Sequence, residues 1–233
     1  MNDAAWQGRL ISRATTEPFS TGQHHRQIDA TIEKKIECRF LVHVPAQVGT
    51  RESWPLLVFL HGMGEGGRNL DAVKIHGPPM IAETDPAFPF IVVCPQSEKD
   101  VYFDMDVLNA TLDLVLQDFP VDPSQVYLTG LSSGGISTWA WGSSNPERFA
   151  AIAPVCGWWR PADAERFKDL PVWAFHGKKD DLILPEQTEN MVDAINKAGG
   201  NARITLYPEA NHNAWSETYA NPELYDWLVS HRR

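Results

Sequence analysis

Short runs of consecutive apolar residues, each closed by glycine, proline or a polar cluster, recur along the chain. They are "PLLVFLHG" (55–62), "PFIVVCPQ" (89–96), "QVYLTG" (125–130), "FAAIAPVCG" (149–157), "LPVWAFHG" (170–177) and "ARITLYP" (202–208). Unbroken runs of this length suit strands covered on both faces, as in a parallel sheet. "IECRFLVHVP" (36–45) instead alternates and ends at a proline, the pattern of an outer strand. Helical patterns fall between the runs. "DVLNATLDLVLQDF" (106–119) brings Val107, Ala110, Leu114 and Phe119 near one face, and "SGGISTWAWGSSNPERF" predicts a helix that stops before Pro146. "PEQTENMVDAINKAG" (185–199) opens on proline and closes on Gly199, an expected start and stop. The tail "PELYDWLVSHRR" reads as a closing helix. Strands alternating with helices predict an α/β fold, a mostly parallel central sheet with helices on both faces. Residues 1–26 are polar and weakly patterned, an N-terminal arm or a first edge strand, and the 233 residues fit one domain over 1–233.

Composition narrows the function. The net charge of −10 argues against nucleic acid and against anionic membrane surfaces as partners, since both would repel the protein. The N-terminus "MNDAAWQGRLISRATTEPF" carries charge and lacks an apolar signal-peptide core, and no apolar run reaches 18 residues. Cys38, Cys94 and Cys156 are three in number, far apart and set in apolar runs. They read as buried free thiols, which fits a reducing cytoplasm. Histidines and carboxylates do not cluster at ligand spacing, so no metal site and no cofactor are expected.

The chemistry gathers around "TGLSSGG". Gly130, Ser132 and Gly134 spell G-x-S-x-G where a buried strand should hand over to a helix, the setting of a nucleophile elbow. Glycines there let strand and helix pass closely, and a helix starting at Ser133 turns its positive end toward the reacting oxygen. A serine hydroxyl needs a base, and the base a third group to orient it. An elbow of this kind places its partners in the order serine, acid, histidine. Three histidines follow Ser132. His176 lies at a strand end and His231 is three residues from the C-terminus, whereas His212 follows the last strand on a polar loop. His212 is the candidate base. Just after "HG", Asp180 and Asp181 are adjacent, so only one can face the imidazole; Asp180 is the candidate, Asp181 the alternative.

Acyl transfer also needs N–H donors for the developing oxyanion. One is expected from Ser133, the other from "FLHGMGEGG" (59–67), where Met63 or Gly64 would face the site and His61 and Gly62 shape the loop. The same loop spells G-x-G-x-x-G through Gly62, Gly64 and Gly67, with Glu83 near the place of a ribose-binding acid. A dinucleotide site needs that motif to open an unbroken helix, and "RNLDAVKIHGPPM" is interrupted by Gly77, Pro78 and Pro79.

The segments "PLLVFLHGMGEGG", "VDPSQVYLTGLSSGGISTWAW", "NPERFAAIAPVCGWW", "LPVWAFHGKKDD" and "ANHNAW", in that order, resemble the α/β-hydrolase superfamily. More narrowly, they are similar to its small phospholipase/carboxylesterase, dienelactone-hydrolase-like and polyhydroxybutyrate-depolymerase-like esterases, over roughly residues 36–230. The resemblance implies the α/β-hydrolase fold and hydrolysis of a small-molecule carboxylic ester without cofactor, by Ser132 as nucleophile, Asp180 as acid and His212 as base. Such relatives often carry methionine where this chain has Ser133, and "DDLILP" is one residue longer than the usual "DxxVP".

Only a dozen residues separate Gly157 from Leu170, which leaves little or no room for a lid. Trp158 and Trp159 leave a strand at its functional end, and at least one is expected, with His61, to face substrate. Trp139 and Trp215 are expected to pack in the core. An open, aromatic-rimmed site suits short-chain or aryl esters, hydroxycinnamates among them. A serine peptidase of the same fold and a non-catalytic binding relative are the alternatives.

Overall fold

The computed structural model describes residues 34–233, and Cys38–Arg233 form one compact unit. The arm or edge strand expected over residues 1–26 lies outside the described residues. Seven strands form one sheet: β1 Arg39–His43, β2 Trp54–Leu60, β3 Ile91–Gln96, β4 Val121–Leu131, β5 Ala151–Val155, β6 Val172–Gly177 and β7 Ala202–Tyr207. Their spatial order is β1-β3-β2-β4-β5-β6-β7. The edge strand β1 runs antiparallel to β3, from Arg39 opposite Gln96 to His43 opposite Val92, and the remaining pairs are parallel.

Successive side chains of a strand point to opposite faces, so a strand covered on both sides must be apolar throughout. In β2, Leu56, Val58 and Leu60 enter one core, while Leu57 and Phe59 enter the other. Helices α2 Met105–Asp118, α3 Ser133–Ser144 and α4 Pro185–Lys197 cover the first face through Leu108, Leu112, Trp139, Trp141, Met191 and Ile195. Helices α1 Gly77–Thr84, α5 Trp215–Ala220 and α6 Pro222–Val229 cover the second through Ala82, Tyr219, Leu224 and Leu228.

Two local expectations are revised, and a third holds. β4 starts at Val121, ahead of the expected Gln125, and its pairing with β2 slips between Trp54 and Leu56. Pro123 sits in that irregular stretch, where its missing N–H interrupts no ladder. The interruption expected in "RNLDAVKIHGPPM" is present: a 3₁₀ segment, Leu70–Lys74, ends before α1 starts at Gly77, and Pro78 and Pro79 occupy the first turn of α1, where a missing N–H is harmless. Cys94 and Cys156 are buried free thiols, but Cys38 is only half-buried. Among the described residues, no helix is long and apolar enough to cross a membrane.

Candidate active site

β4 ends at Leu131, α3 begins at Ser133, and Ser132 between them takes φ 54° and ψ −118°. Such a backbone costs about 1–3 kcal/mol for a residue with a Cβ and persists only where the surroundings impose it. Here they do. The Ser132 N–H donates to the Val155 carbonyl at 2.9 Å. A methyl on Gly134 would stand 2.0 Å from the Leu60 carbonyl oxygen, and one on Gly130 2.5 Å from the Gly134 carbonyl oxygen. Strand and helix therefore cross in contact, and the serine is forced out over the sheet.

The Ser132 hydroxyl donates to His212 Nε2 at 2.9 Å, and His212 Nδ1–H donates to Asp180 Oδ2 at 2.7 Å. Asp180 sits on the loop after β6 and His212 on the loop after β7. The two loops are tied by the Lys178 N–H to the Tyr207 carbonyl and the Lys179 N–H to the Ala210 carbonyl, each 2.9 Å. The Asp180 side chain is fully buried, and its Oδ1 accepts the N–H groups of Leu182 and Ile183, each at 3.0 Å. Burial alone would push this carboxyl up, but the bonds from His212, Ile183 and Leu182 outweigh it and hold it below the ordinary carboxylate range. Asp181 is exposed.

Across from the serine, Met63 opens a 3₁₀ turn, Met63–Glu65. A methyl on Gly62 would lie 3.8 Å from Ser132 Cβ, so this loop runs against Ser132. The Met63 and Ser133 N–H groups each begin a helical turn, where no earlier carbonyl is available to accept them. Gln96 secures the loop from β3, its Nε2 donating to the carbonyls of Glu65 at 2.9 Å and Asn69 at 2.7 Å.

The expectation that His61 faces substrate is corrected. It is 1% exposed, its Nδ1–H donates to the Gly62 carbonyl at 2.6 Å and its Nε2 accepts the Ser97 N–H at 3.1 Å. Burial lowers its pKa, in keeping with a neutral ring that braces the loop. Trp159 packs against the core, whereas Trp158 stands 39% exposed on the loop leaving β5. Trp139 is buried. Trp215 is only partly buried and sets its ring edge-on to His212, centroids 5.5 Å apart at 87°. It also lines an apolar hollow with His76, Met80, Ile81 and Tyr219. The β5–β6 connection carries a single 3₁₀ segment, Pro161–Phe167.

Sequence reasoning passed over Gln96 and Glu65, and weighed His176 only as a base. Glu65 is buried beside Gly62, with Oε2 unpartnered among the described residues. Its place between two loop glycines was the available signal. His176 is fully buried and reaches Asp180. Contrary to the sequence expectation, potential ligands do gather, since Cys156, His176 and Asp180 bring their ligand atoms within 4.8 Å of one another. The donor set suits packing better than a cation: burial pushes the Cys156 thiol up to about 12, keeping its proton, and Asp180 is already committed to N–H donors.

A mostly parallel sheet flanked by helices on both faces, with a strained serine at the turn after its central strand, defines the α/β-hydrolase fold. The sequence profile of the dienelactone hydrolase family matches residues 95–223, over half of the chain, and the chain belongs to that family. It is 27% identical to the bifunctional acetylxylan esterase/xylanase XynS20E of Neocallimastix patriciarum over 80% of this chain and 28% of that protein. It is 29% identical to a putative carboxymethylenebutenolidase of Escherichia coli K12 over 39% of this chain and 37% of that protein. The chain thus spans about a third of these relatives' lengths. Among solved structures, a thermostable esterase superposes with a TM-score of 0.72 at 29% identity, covering 85% of this chain and 60% of that one. Esterase PE8, at 22% identity and a TM-score of 0.60 over 84% and 97% of the two chains, shares the fold.

Proposed function

We propose that the protein is a serine carboxylesterase acting on short-chain or aryl esters, hydroxycinnamoyl esters among them. Ser132 attacks the ester carbonyl while His212 takes its proton, and the Met63 and Ser133 N–H groups hold the oxyanion. His212 then protonates the departing alcohol, and water attacks the acyl-enzyme through the same base. Asp180 fixes the His212 tautomer and stabilises the imidazolium. The observation that carries this reading is the unbroken line Ser132 Oγ, His212 Nε2, His212 Nδ1, Asp180 Oδ2, at 2.9 and 2.7 Å, with the serine on a strained turn.

A short or aryl acyl group is favoured because the β5–β6 connection is brief and the loops after β3, β5 and β6 expose apolar groups. Tyr102 is 55%, Trp158 39% and Leu182 74% exposed, which offers flat contact and little enclosure. Free cysteines suit a reducing compartment, so the proposal places the enzyme in the cytoplasm.

The test is hydrolysis of p-nitrophenyl esters from acetate to laurate, plus a feruloyl ester, by wild type and Ser132→Ala. Turnover of acetate or feruloyl ester with a loss of at least about 10³-fold in the variant supports the reading. Equal activity in both proteins sinks it. Rates that climb steadily beyond acyl chains of about ten carbons would remove the shallow site but leave the triad.

A further inference from the structure

The carboxylate that faces His212 is held by a second imidazole. His176, at the end of β6, directs Nε2 at Asp180 Oδ2 (3.0 Å) and at the Ile183 carbonyl (2.8 Å). A carboxylate at this depth and a carbonyl can only accept, so Nε2 must carry the hydrogen. Behind the ring, the Thr188 hydroxyl of α4 stands 2.8 Å from Nδ1 and 2.7 Å from the Gly157 carbonyl, with one hydrogen to share between them. Burial lowers the His176 pKa, in keeping with a neutral ring protonated at Nε2. The titratable groups about it are Asp180, His212 beyond that carboxylate and, within 4.8 Å in the same cluster, the Cys156 thiol.

Counting donors gives Asp180 a full complement: Leu182 and Ile183 N–H on Oδ1, His212 Nδ1–H and His176 Nε2–H on Oδ2. A carboxylate has about four such positions. The backbone bonds fix one oxygen, and the two imidazoles share the other.

We propose that His176 is a positioning residue of the triad, whose Nε2–H aims Asp180 Oδ2 at His212 and takes part of that oxygen's negative charge. It acts through Asp180 and touches neither substrate nor Ser132. By drawing on Oδ2, it limits how strongly Asp180 stabilises the imidazolium formed on His212 during acyl transfer. The inference rests on the serine-triad reading. The two fail separately: an active Ser132→Ala removes the triad, whereas the experiment below concerns His176 alone.

The experiment is the pH profile of kcat/KM for p-nitrophenyl acetate in wild type, His176→Phe and His176→Gln. Phenylalanine fills the ring's space without a donor; the glutamine amide restores an N–H. His176→Phe is expected to lower kcat about 10- to 100-fold with KM changed less than about twofold. The acid limb of its profile should move upward by at least about half a pH unit, because all of Oδ2 is then left to His212. His176→Gln should return both quantities most of the way. A ring that only fills space predicts an acid limb that stays in place in the phenylalanine variant, and that result would overturn the proposal, as would failure of glutamine to rescue. Should the phenylalanine variant not fold, ¹⁵N-labelled wild type decides: a His176 Nε2 without a proton at neutral pH also overturns it.

Discussion

Two neighbouring aspartates show how little sequence distance means at the scale of a residue. Asp180 is buried and meets four N–H donors, while Asp181, one position on, is exposed. A buried carboxylate stays ionised only when its lone pairs are satisfied, and the backbone of Leu182 and Ile183 arranges this by turning back over Oδ1. Exchange of a carboxylate for an amide therefore has very unequal consequences at the two sites. Asp180→Asn places an NH₂ or a weaker acceptor against His212 Nδ1 and favours the wrong tautomer, so kcat on p-nitrophenyl acetate should fall by roughly 10³-fold or more. Asp181→Asn should stay within about twofold of wild type. Comparable losses in both variants would return the assignment of the acid to the open choice that spacing alone leaves.

At the scale of elements, the site depends on α3 passing β4 and the end of β2 at contact distance. A methyl on Gly134 would meet the Leu60 and His61 carbonyl oxygens at 2.0 and 2.5 Å, backbone atoms at the end of β2 and just after it that cannot step aside as a flexible side chain could. Gly64, on the loop opposite, has nothing within 4 Å of the same added atom. Gly134→Ala should thus lose more than about 3 kcal/mol of stability or fail to fold, while Gly64→Ala should melt within about 1 kcal/mol of wild type. Urea unfolding of the two variants checks this, and equal stability would mean that the crossing is looser than described. The same crossing explains what was legible in the chain. Gly130, Ser132 and Gly134 could be found from sequence because a local turn imposes them, and His212 because topology fixes the order of loops. The role of His176 beside Asp180 could not, and His61 was placed in its loop but wrongly turned toward substrate. His176 bonds Asp180, Ile183 and Thr188, and His61 bonds Gly62 and Ser97; the Thr188 and Ser97 contacts in particular need a tertiary path that no local pattern encodes. The start of β4 was missed for a related reason: Pro123 reads as a strand breaker until the slipped pairing opposite Trp54 gives it a place.

For the whole molecule, the buried ring nitrogens set a pH dependence of stability that is separate from catalysis. Burial holds the pKa of His61 and of His176 below the ordinary histidine value of 6.5. As pH falls through 6.5 the unfolded chain takes up protons at these positions before the folded one does, so unfolding gains. Each such histidine contributes a slope of at most about 1.4 kcal/mol per pH unit, from about pH 6.5 down to its folded value. Asp180 acts in the same direction but lower on the scale. Its folded pKa is depressed below 3.8, so the stability it adds is complete above the unfolded value and is lost as pH falls through the folded one. Acidification should therefore weaken the protein in two stages, first below about pH 6.5 through the histidines and then below about pH 4 through the carboxylate. Urea midpoints measured from pH 7.5 to 3.5 should fall through the first window, and His61→Gln should flatten that fall even if it lowers stability at pH 7.5. Midpoints that hold level between pH 6.5 and 5 would mean that these rings accept protons without disturbing the loop and strand end they support, and the bracing assigned to His61 would then have to come from the Gln96 amide alone.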